Sequence, residues 1–499
     1  MAPSGGSLRM GTPARDTGSP LAVWPVLDIT AAHPGPLAKT KSYHLHVGTQ
    51  AQLRPERSRP ASHIKVIEVP LLNSPNQPSQ ATPPPTDAAV GQQVVRERLV
   101  MLAELSRKSP RLVNLARFID QPLLEVAGNR LRLGAAAGVD KVSTVWYREN
   151  LDLNIHMLIK EVKNKTYQPS PTRRVSILKD DKSERHLGLP TTRDKHLQGA
   201  VLALLEAIYE PHFYDHSYGF RPNRSAKDAL LVLLGWLASH DGAWVLEVDL
   251  SKFFDTIDHV LLLEVLAEKI GDQAILDLIE AWLKAGVMDK GVLKPTMTGT
   301  PQGGVVSPIA ANVFLNKALD QWWIKSYSPA LTGEGFLVRY ADDFIIAFTD
   351  EDECRQAALD VTVRLKQFKL SVNMEKTKTS DLRLPHSTTP DTQENTEVNF
   401  LGFNVYWKPC PDTGRKLAAR TSDKSIKRFK ERITSWLLEK GGDLLPEELT
   451  AGIDAKLKGH ANYFDVEGNE DRITLVEEMA HALYEFQIHP PYLLPRTRS

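Results

Sequence analysis

The sequence has little cysteine, no net charge and no long hydrophobic run. Its two cysteines, Cys354 and Cys410, cannot build a disulfide framework, and neither belongs to a Cys-x-x-Cys pair of the kind that binds zinc. No apolar run reaches about 18 residues, so no membrane-spanning helix is predicted. The 61 basic residues balance 61 acidic ones. Any argument for nucleic-acid binding therefore depends on where the charges lie.

The length and composition are those of a multidomain globular protein. The 499 residues suffice for about three domains, and 42% hydrophobic with 24% charged residues is a globular balance. Residues 1–91 are rich in Pro, Ser and Gly and are predicted to be a disordered extension. The alternative, a transit peptide, would change the expected location from the bacterial cytoplasm to an organelle. Helical spacing of apolar residues begins after Gln92, at Val95, Leu99, Leu102 and Leu105.

An alternating segment over residues 243–249 predicts a strand that ends at an aspartate. Trp244, Leu246 and Val248 fall on one face, and Asp249 lies on the opposite face at the strand end. The alternative is an aspartate that caps a helix over residues 251–258.

A second pair of carboxylates lies between two apolar strands in residues 336–348. The short polar turn Ala341-Asp342-Asp343 predicts a hairpin with both aspartates at its tip. The alternative is an ordinary solvated loop, but adjacent carboxylates repel unless a cation neutralises them. If Asp249 lay beside Asp342, the three could form a two-metal site for nucleotidyl transfer.

Four segments in order resemble the blocks of group II intron-encoded reverse transcriptases. In chain order they are Ser217-Tyr-Gly-Phe-Arg-Pro-Asn-Arg-Ser225, Asp249-Leu-Ser-Lys-Phe-Phe-Asp255, Gly299-Thr-Pro-Gln-Gly-Gly-Val-Val-Ser-Pro308 and Tyr340-Ala-Asp-Asp343. The resemblance implies an α+β right-hand polymerase. Its parts would be an N-terminal extension with fingers at 92–235, a palm with an antiparallel sheet at 236–408, and a helical thumb or maturase domain at 409–499.

The resemblance also implies an RNA-directed DNA polymerase with a set of site residues. Two Mg²⁺ ions, with Mn²⁺ as the alternative, would bind at Asp249, Leu250, Asp342 and Asp343, of which the aspartates are the catalytic residues. The incoming dNTP would contact Lys179, Arg185, Phe254 and Gln302. Phe254 would crowd the sugar 2′ position and favour deoxynucleotides, the alternative being a core residue beside Phe253.

Nucleic-acid contacts are expected from cations outside the catalytic blocks. Aromatic residues interleave with Arg221 and Arg224, a pairing suited to a template strand. Lys376 follows in a later family block. On a predicted helix over residues 423–440, Lys424, Lys427 and Arg428 share a face that could follow a phosphate backbone.

The expected partners are a group II intron RNA, an RNA template with its DNA primer, and dNTPs, with no membrane and no predicted oligomeric state. The stretch at 457–464 resembles the maturase region of this family and implies assistance to splicing. No Cys/His cluster follows, so an HNH endonuclease is not expected. Two alternatives remain: a non-catalytic splicing cofactor, and a domesticated reverse transcriptase used in phage defence or repair.

Overall fold

The computed structural model describes residues 87–178, 184–300, 303–384, 396–411 and 414–488. The helices in these ranges are α1 (Asp87–Lys108), α2 (Gln121–Asn129), α3 (Thr144–Glu149), α4 (Leu151–Lys163), α5 (Thr192–Tyr209), α6 (Ala226–Ser239), α7 (Phe253–Thr256), α8 (His259–Ala267), α9 (Gln273–Lys284), α10 (Ser307–Leu315), α11 (Glu351–Gln367), α12 (Asp423–Lys440), α13 (Pro446–Phe464) and α14 (Glu470–Ile488). After α10 the chain continues through two π-helical segments, Asn316–Asp320 and Trp323–Tyr327.

The strands of the described residues form three sheets. They are β1 (Thr172–Leu178), β2 (Glu184–Leu189), β3 (Trp244–Val248), β4 (Val287–Asp289), β5 (Val292–Lys294), β6 (Gly335–Tyr340), β7 (Asp343–Phe348), β8 (Lys378–Asp381), β9 (Val398–Phe400), β10 (Phe403–Cys410) and β11 (Gly414–Thr421). The sheet orders are β2-β1-β4-β5, β6-β7-β3-β8 and β11-β10-β9. The protein is therefore a mixed helix and sheet structure.

Both faces of the central sheet β6-β7-β3-β8 are covered, because its strands carry apolar residues on each face. Leu246 and Val248 of β3 point into a large core shared with α5, α8, α9, α10 and α11. Val245 points into a second core, formed with α6 and with β10 and β11 of the sheet β11-β10-β9. The predicted alternation is confirmed, but the face that carries Asp249 is also buried, since Val245 is fully covered.

A third, smaller core joins the helices at the end of the described chain. Ile433 and Leu437 of α12 pack against Ile453 of α13 and Val476 of α14. The Ser422 side chain caps α12 by accepting a hydrogen bond from the Ser425 amide. The helix then runs over residues 423–440, as the sequence predicted.

Two segments that look continuous in the sequence are divided in the structure. Residues 399–406 have the sequence of one short strand, but they belong to β9 and β10, because Leu401 (φ 52°) and Gly402 (φ 85°) form a turn between them. The apolar spacing from Trp146 to Leu158 spans two helices, α3 and α4, that break at Asn150. The polar, proline-containing stretch at 382–398, whose composition predicts a surface loop or insertion, falls mostly outside the described residues. Over the parts of the chain that the structure describes, no helix is long and apolar enough to cross a membrane.

Candidate active site

The three predicted carboxylates meet at one end of the central sheet. Strands β3 and β7 are antiparallel with Val248 opposite Phe344, so Asp249, one residue further, lies opposite Asp343. Strands β6 and β7 pair Tyr340 with Asp343, which leaves Ala341 and Asp342 as the two-residue turn of the predicted hairpin. The antiparallel register therefore brings together carboxylates about a hundred residues apart in the chain.

The charges of these residues are coupled. The pKa of Asp343 is raised to about 6, first because protein atoms desolvate the carboxyl group and then because Asp342 and Asp249 repel its negative charge. Lys376 opposes this shift. The side chain of Asp343 still reaches solvent. The site thus concentrates negative charge that an added cation would neutralise.

The segment 371–377 holds Asp249 in place through the backbone. The Asn373 amide donates to the Asp249 carbonyl (2.8 Å) and the Ser251 amide donates to the Ser371 carbonyl (2.8 Å). The carbonyl of Leu250 takes no part in these two bonds, because Leu250 occupies the non-hydrogen-bonded position of this bridge. The Lys376 Nζ lies 3.8 Å from Asp249 Oδ2 with its side chain 65% exposed, and such an exposed pair contributes little stability.

The donor set fits a hard divalent cation that is shared with substrate. Carboxylate and carbonyl oxygens are the ligands that Mg²⁺ prefers, and protein sites often supply only one or two carboxylates beside substrate phosphates. Within the described part of the chain, no three His, Cys, Asp or Glu side chains converge closely enough to hold a metal alone. Repulsion among the three aspartates, with one exposed lysine near them, is consistent with an open site of this kind.

Phe254 lies five residues after Asp249 in the chain, with its ring packed against other aromatic residues. The ring is 8% exposed and makes edge contacts with Phe253 (5.3 Å between centroids) and Phe220 (6.4 Å). The Phe254 carbonyl accepts a hydrogen bond from the Thr300 amide (2.8 Å). This bond ties two of the sequence blocks together. Its position allows both the core role and the predicted contact with a nucleotide sugar.

Arg221 is buried, and its surroundings do not support the predicted contact with nucleic acid. Its side chain is 3% exposed, donates to both carboxylate oxygens of Glu210 (2.8 Å at the closest) and donates to the carbonyls of Tyr214 and Ser217. Its donors are thus used to hold the loop before α6. Arg224 also binds this loop, at the Asp215 carbonyl, and lies over the Tyr218 ring.

The three cations predicted on α12 lie on one exposed face, opposite its packed residues. Lys424, Lys427 and Arg428 are all exposed. Tyr463 of α13, within the stretch 457–464, lies close enough to Arg428 of this face and to Asp343 for both charges to affect it. Its hydroxyl donates to the Leu401 carbonyl (3.1 Å). Its pKa is raised to about 12, first by burial and then by Tyr340 and Asp343, while Arg428 lowers it.

Three further residues are predicted to contact the nucleotide: Lys179, Arg185 and Gln302. Lys179 and Gln302 lie outside the described residues. Arg185 belongs to β2, where its backbone pairs with Ile177.

Comparisons with known proteins agree with this arrangement. The model of the family "Reverse transcriptase (RNA-dependent DNA polymerase)" matches residues 177–405, which includes all three aspartates. The chain is 29% identical over 401 residues to "Protein YkfC" of Escherichia coli (strain K12), covering 69% of this chain and 100% of that protein.

Two further relatives are intron proteins. The chain is 44% identical over 165 residues to "Group II intron-encoded protein LtrA" of Lactococcus lactis subsp. cremoris, covering 33% of this chain and 27% of that protein. It is 31% identical over 307 residues to "Putative COX1/OXI3 intron 2 protein" of Saccharomyces cerevisiae, covering 51% of this chain and 34% of that protein. These two matches therefore span about a third or less of each relative.

Proposed function

Because this chain belongs to the group II intron type of reverse transcriptase, a family of RNA-directed DNA polymerases, we propose that it extends a DNA primer along an RNA template at Asp249, Asp342 and Asp343. The observation that carries this proposal is the meeting of these three carboxylates at one sheet end, with the pKa of Asp343 raised to about 6 by its surroundings. Such a concentration of charge favours binding of divalent cations.

Each residue of the site has a proposed task. Asp249 and Asp342 would hold two Mg²⁺ ions, with Mn²⁺ as a substitute, assisted by the Leu250 carbonyl, while Asp343 supports them. The bound ions would activate the primer 3′-hydroxyl and stabilise the leaving pyrophosphate. The backbone bonds of Asp249 to segment 371–377 keep its carboxylate at the sheet end. Lys376, 3.8 Å from Asp249, would contact a phosphate once cations balance the aspartates.

Nucleotide selection would depend on Phe254. Phe253 and Phe220 pack against two sides of its ring and restrict its movement. A rigid ring beside the sugar would clash with a 2′-hydroxyl and disfavour ribonucleotides. Lys179, Arg185 and Gln302 would bind the triphosphate and the nascent pair, an assignment that rests on the sequence resemblance alone.

The domain assignment follows the same resemblance. We assign fingers to residues 92–235, which include β1 and β2, and the palm to residues 236–408, which include the central sheet. The helices α12, α13 and α14 would form the thumb or maturase domain at 409–499. In support, Tyr463 of α13 lies near Asp343, as expected of a domain that holds the primer duplex against the site.

A role in intron RNA splicing is supported by the exposed cations of α12. Lys424, Lys427 and Arg428 project away from the α12–α14 core and could neutralise RNA phosphates. When all three are changed to Gln, the slope of log K against log salt concentration for structured-RNA binding should become shallower by roughly 2–3. A control variant that changes Lys284, Lys294 and Arg355, which lie on other elements, should leave this slope unchanged.

The polymerase proposal is tested by dNTP incorporation on an annealed RNA template and DNA primer with Mg²⁺. We expect template-dependent extension, and none without template. Retained RNA binding with no extension under any divalent cation would favour the non-catalytic splicing cofactor. Extension without binding to intron RNA would favour a domesticated enzyme.

A further inference from the structure

A fully buried ion pair lies beneath the turn that carries Asp342. Arg339, on β6, and Asp320, in the π-helical segment that follows α10, are both 0% exposed. Arg339 donates from Nε to Asp320 Oδ1 (2.9 Å) and from NH2 to Asp320 Oδ2 (2.5 Å). Such a pair is rarely needed for stability, because apolar residues of similar size can often replace it without loss. The other contacts of the guanidinium indicate its role.

The third nitrogen of Arg339 reaches the catalytic turn. NH1 donates to the Ala341 carbonyl (2.8 Å) and to Asn312 Oδ1 (3.0 Å). Ala341 has a φ of 57°, in the left-handed region that a residue with a Cβ adopts only at a cost. The hydrogen bond from Arg339 therefore holds a backbone conformation that alanine does not prefer, in the residue directly before Asp342.

Asn312 extends the same network to the other side of the turn. Its amide donates to the Gly219 carbonyl (2.6 Å). Gly219 packs so closely that a Cβ there would lie 2.3 Å from the Ala341 nitrogen. The backbone of Arg339 also donates to His216 (2.9 Å) and accepts from Tyr218 (2.8 Å). The turn is thus enclosed by a buried network from below and by segment 216–219 beside it.

We propose that Arg339 is a positioning residue for polymerisation, and that the network Asp320–Arg339–Asn312 sets the Ala341-Asp342 turn so that the Asp342 carboxylate faces Asp249. The inference rests on the proposed function, since it assigns these buried residues to the same site. The ion pair anchors the guanidinium, and the guanidinium fixes the turn.

The test separates positioning from folding. In Arg339→Met/Asp320→Leu the buried pair becomes an apolar pair of similar volume, so the fold is kept while the bond to Ala341 is lost. We expect a melting temperature near that of wild type and faster amide exchange in EDTA for a peptide covering residues 338–344. With Mg²⁺ we expect kcat to fall at least tenfold, with the KM for dNTP unchanged. Normal exchange and normal kcat in this variant would overturn the proposal.

A second variant covers the case in which the double variant does not fold. Arg339→Lys keeps a charge for Asp320 but has no planar fork to reach Ala341 and Asn312 as well. It should show the same faster exchange and lower kcat. Arg98→Lys is the control, because Arg98 also pairs with an aspartate, Asp120, which caps α2 outside this network. It should change neither readout.

The amide-exchange readout is independent of polymerisation. If wild-type protein fails to extend a primer, the proposed function fails, and exchange still reports whether Arg339 fixes the turn. If wild type extends and the Arg339 variants do so equally well, only the positioning role is overturned.

Discussion

Lys376 places its ammonium nitrogen 3.8 Å from a carboxylate oxygen of Asp249. The same short segment that binds the Asp249 backbone therefore also brings a positive charge to the carboxylates. Because Lys376 is largely exposed, its charge can move toward a substrate phosphate when cations neutralise the aspartates. Its presence also lowers the pKa of Asp343 against the effects of burial and repulsion.

Removing that charge should shift the pH dependence of polymerisation. In Lys376→Met the pKa of Asp343 should rise further above 6, so the acidic limb of the kcat profile should move to higher pH. The measurement is single-turnover extension between pH 5 and 8. Lys378→Met is the matched control, because Lys378 pairs with Glu247 (3.0 Å) two residues further along. An unshifted profile in Lys376→Met would contradict this electrostatic role.

Asp343 should make the metal-free protein less stable as pH rises. Its folded pKa of about 6 exceeds its ordinary value of 3.8, so the folded state binds more protons than the unfolded state between these values. The stabilisation that Asp343 contributes is therefore complete below about pH 4 and is lost as pH rises through 6. Asp343→Asn should remove this dependence and raise the melting temperature at pH 7 in EDTA. Asp465→Asn, which changes an exposed carboxylate, is the control and should retain the wild-type dependence of stability on pH. The same dependence in Asp343→Asn as in wild type would refute the raised pKa of Asp343.

Gly219 should tolerate no side chain. A Cβ at this position would lie 2.3 Å from the Ala341 nitrogen, so Gly219→Ala must displace the catalytic turn. We expect kcat to fall at least about tenfold, or 1.4 kcal/mol. Gly235→Ala is the control: nothing lies within 4 Å of its Cβ position, and its helix should gain about 0.5–1 kcal/mol. Full activity in Gly219→Ala would mean that the turn need not stay where it lies.

Phe254 should control sugar selection. Phe254→Val opens space beside the sugar, so we expect ribonucleotide incorporation relative to deoxynucleotide to rise about tenfold or more. Phe314→Val is the control, because it removes a core ring that is 0% exposed and packs against Phe368. It should lower stability through the cavity it leaves without changing that ratio. Equal discrimination in wild type and Phe254→Val would assign Phe254 to the core alone.

Local patterns predicted the hairpin that carries Asp342 and the helix α12. Apolar residues on both sides of the polar turn were enough for β6 and β7, and helical spacing was enough for α12. These elements are determined by residues close in sequence. The convergence of Asp249 with Asp342 was only an expectation, because the sequence of neither segment indicates the register in which two distant strands pair.

The failures have the same physical origin. Arg221 followed aromatic residues in a pattern typical of a template contact, but Glu210 and two backbone carbonyls bind it in the fold. Nothing in the local sequence of Arg339 or Asp320 indicates that they are buried or that they pair. Tyr463 was part of a stretch identified by resemblance, and only packing places it near Asp343. Side-chain partners from distant elements decide these roles.

The most direct measurement is Mg²⁺-dependent primer extension by Asp342→Asn beside wild type. The substitution keeps the size of the side chain and removes the negative charge from the turn. We expect about 4 kcal/mol less transition-state stabilisation, which is roughly a thousandfold loss in rate, with primer–template binding retained. Extension within a few-fold of wild type would contradict the central claim that Asp249 and Asp342, supported by Asp343, hold the cations of polymerisation.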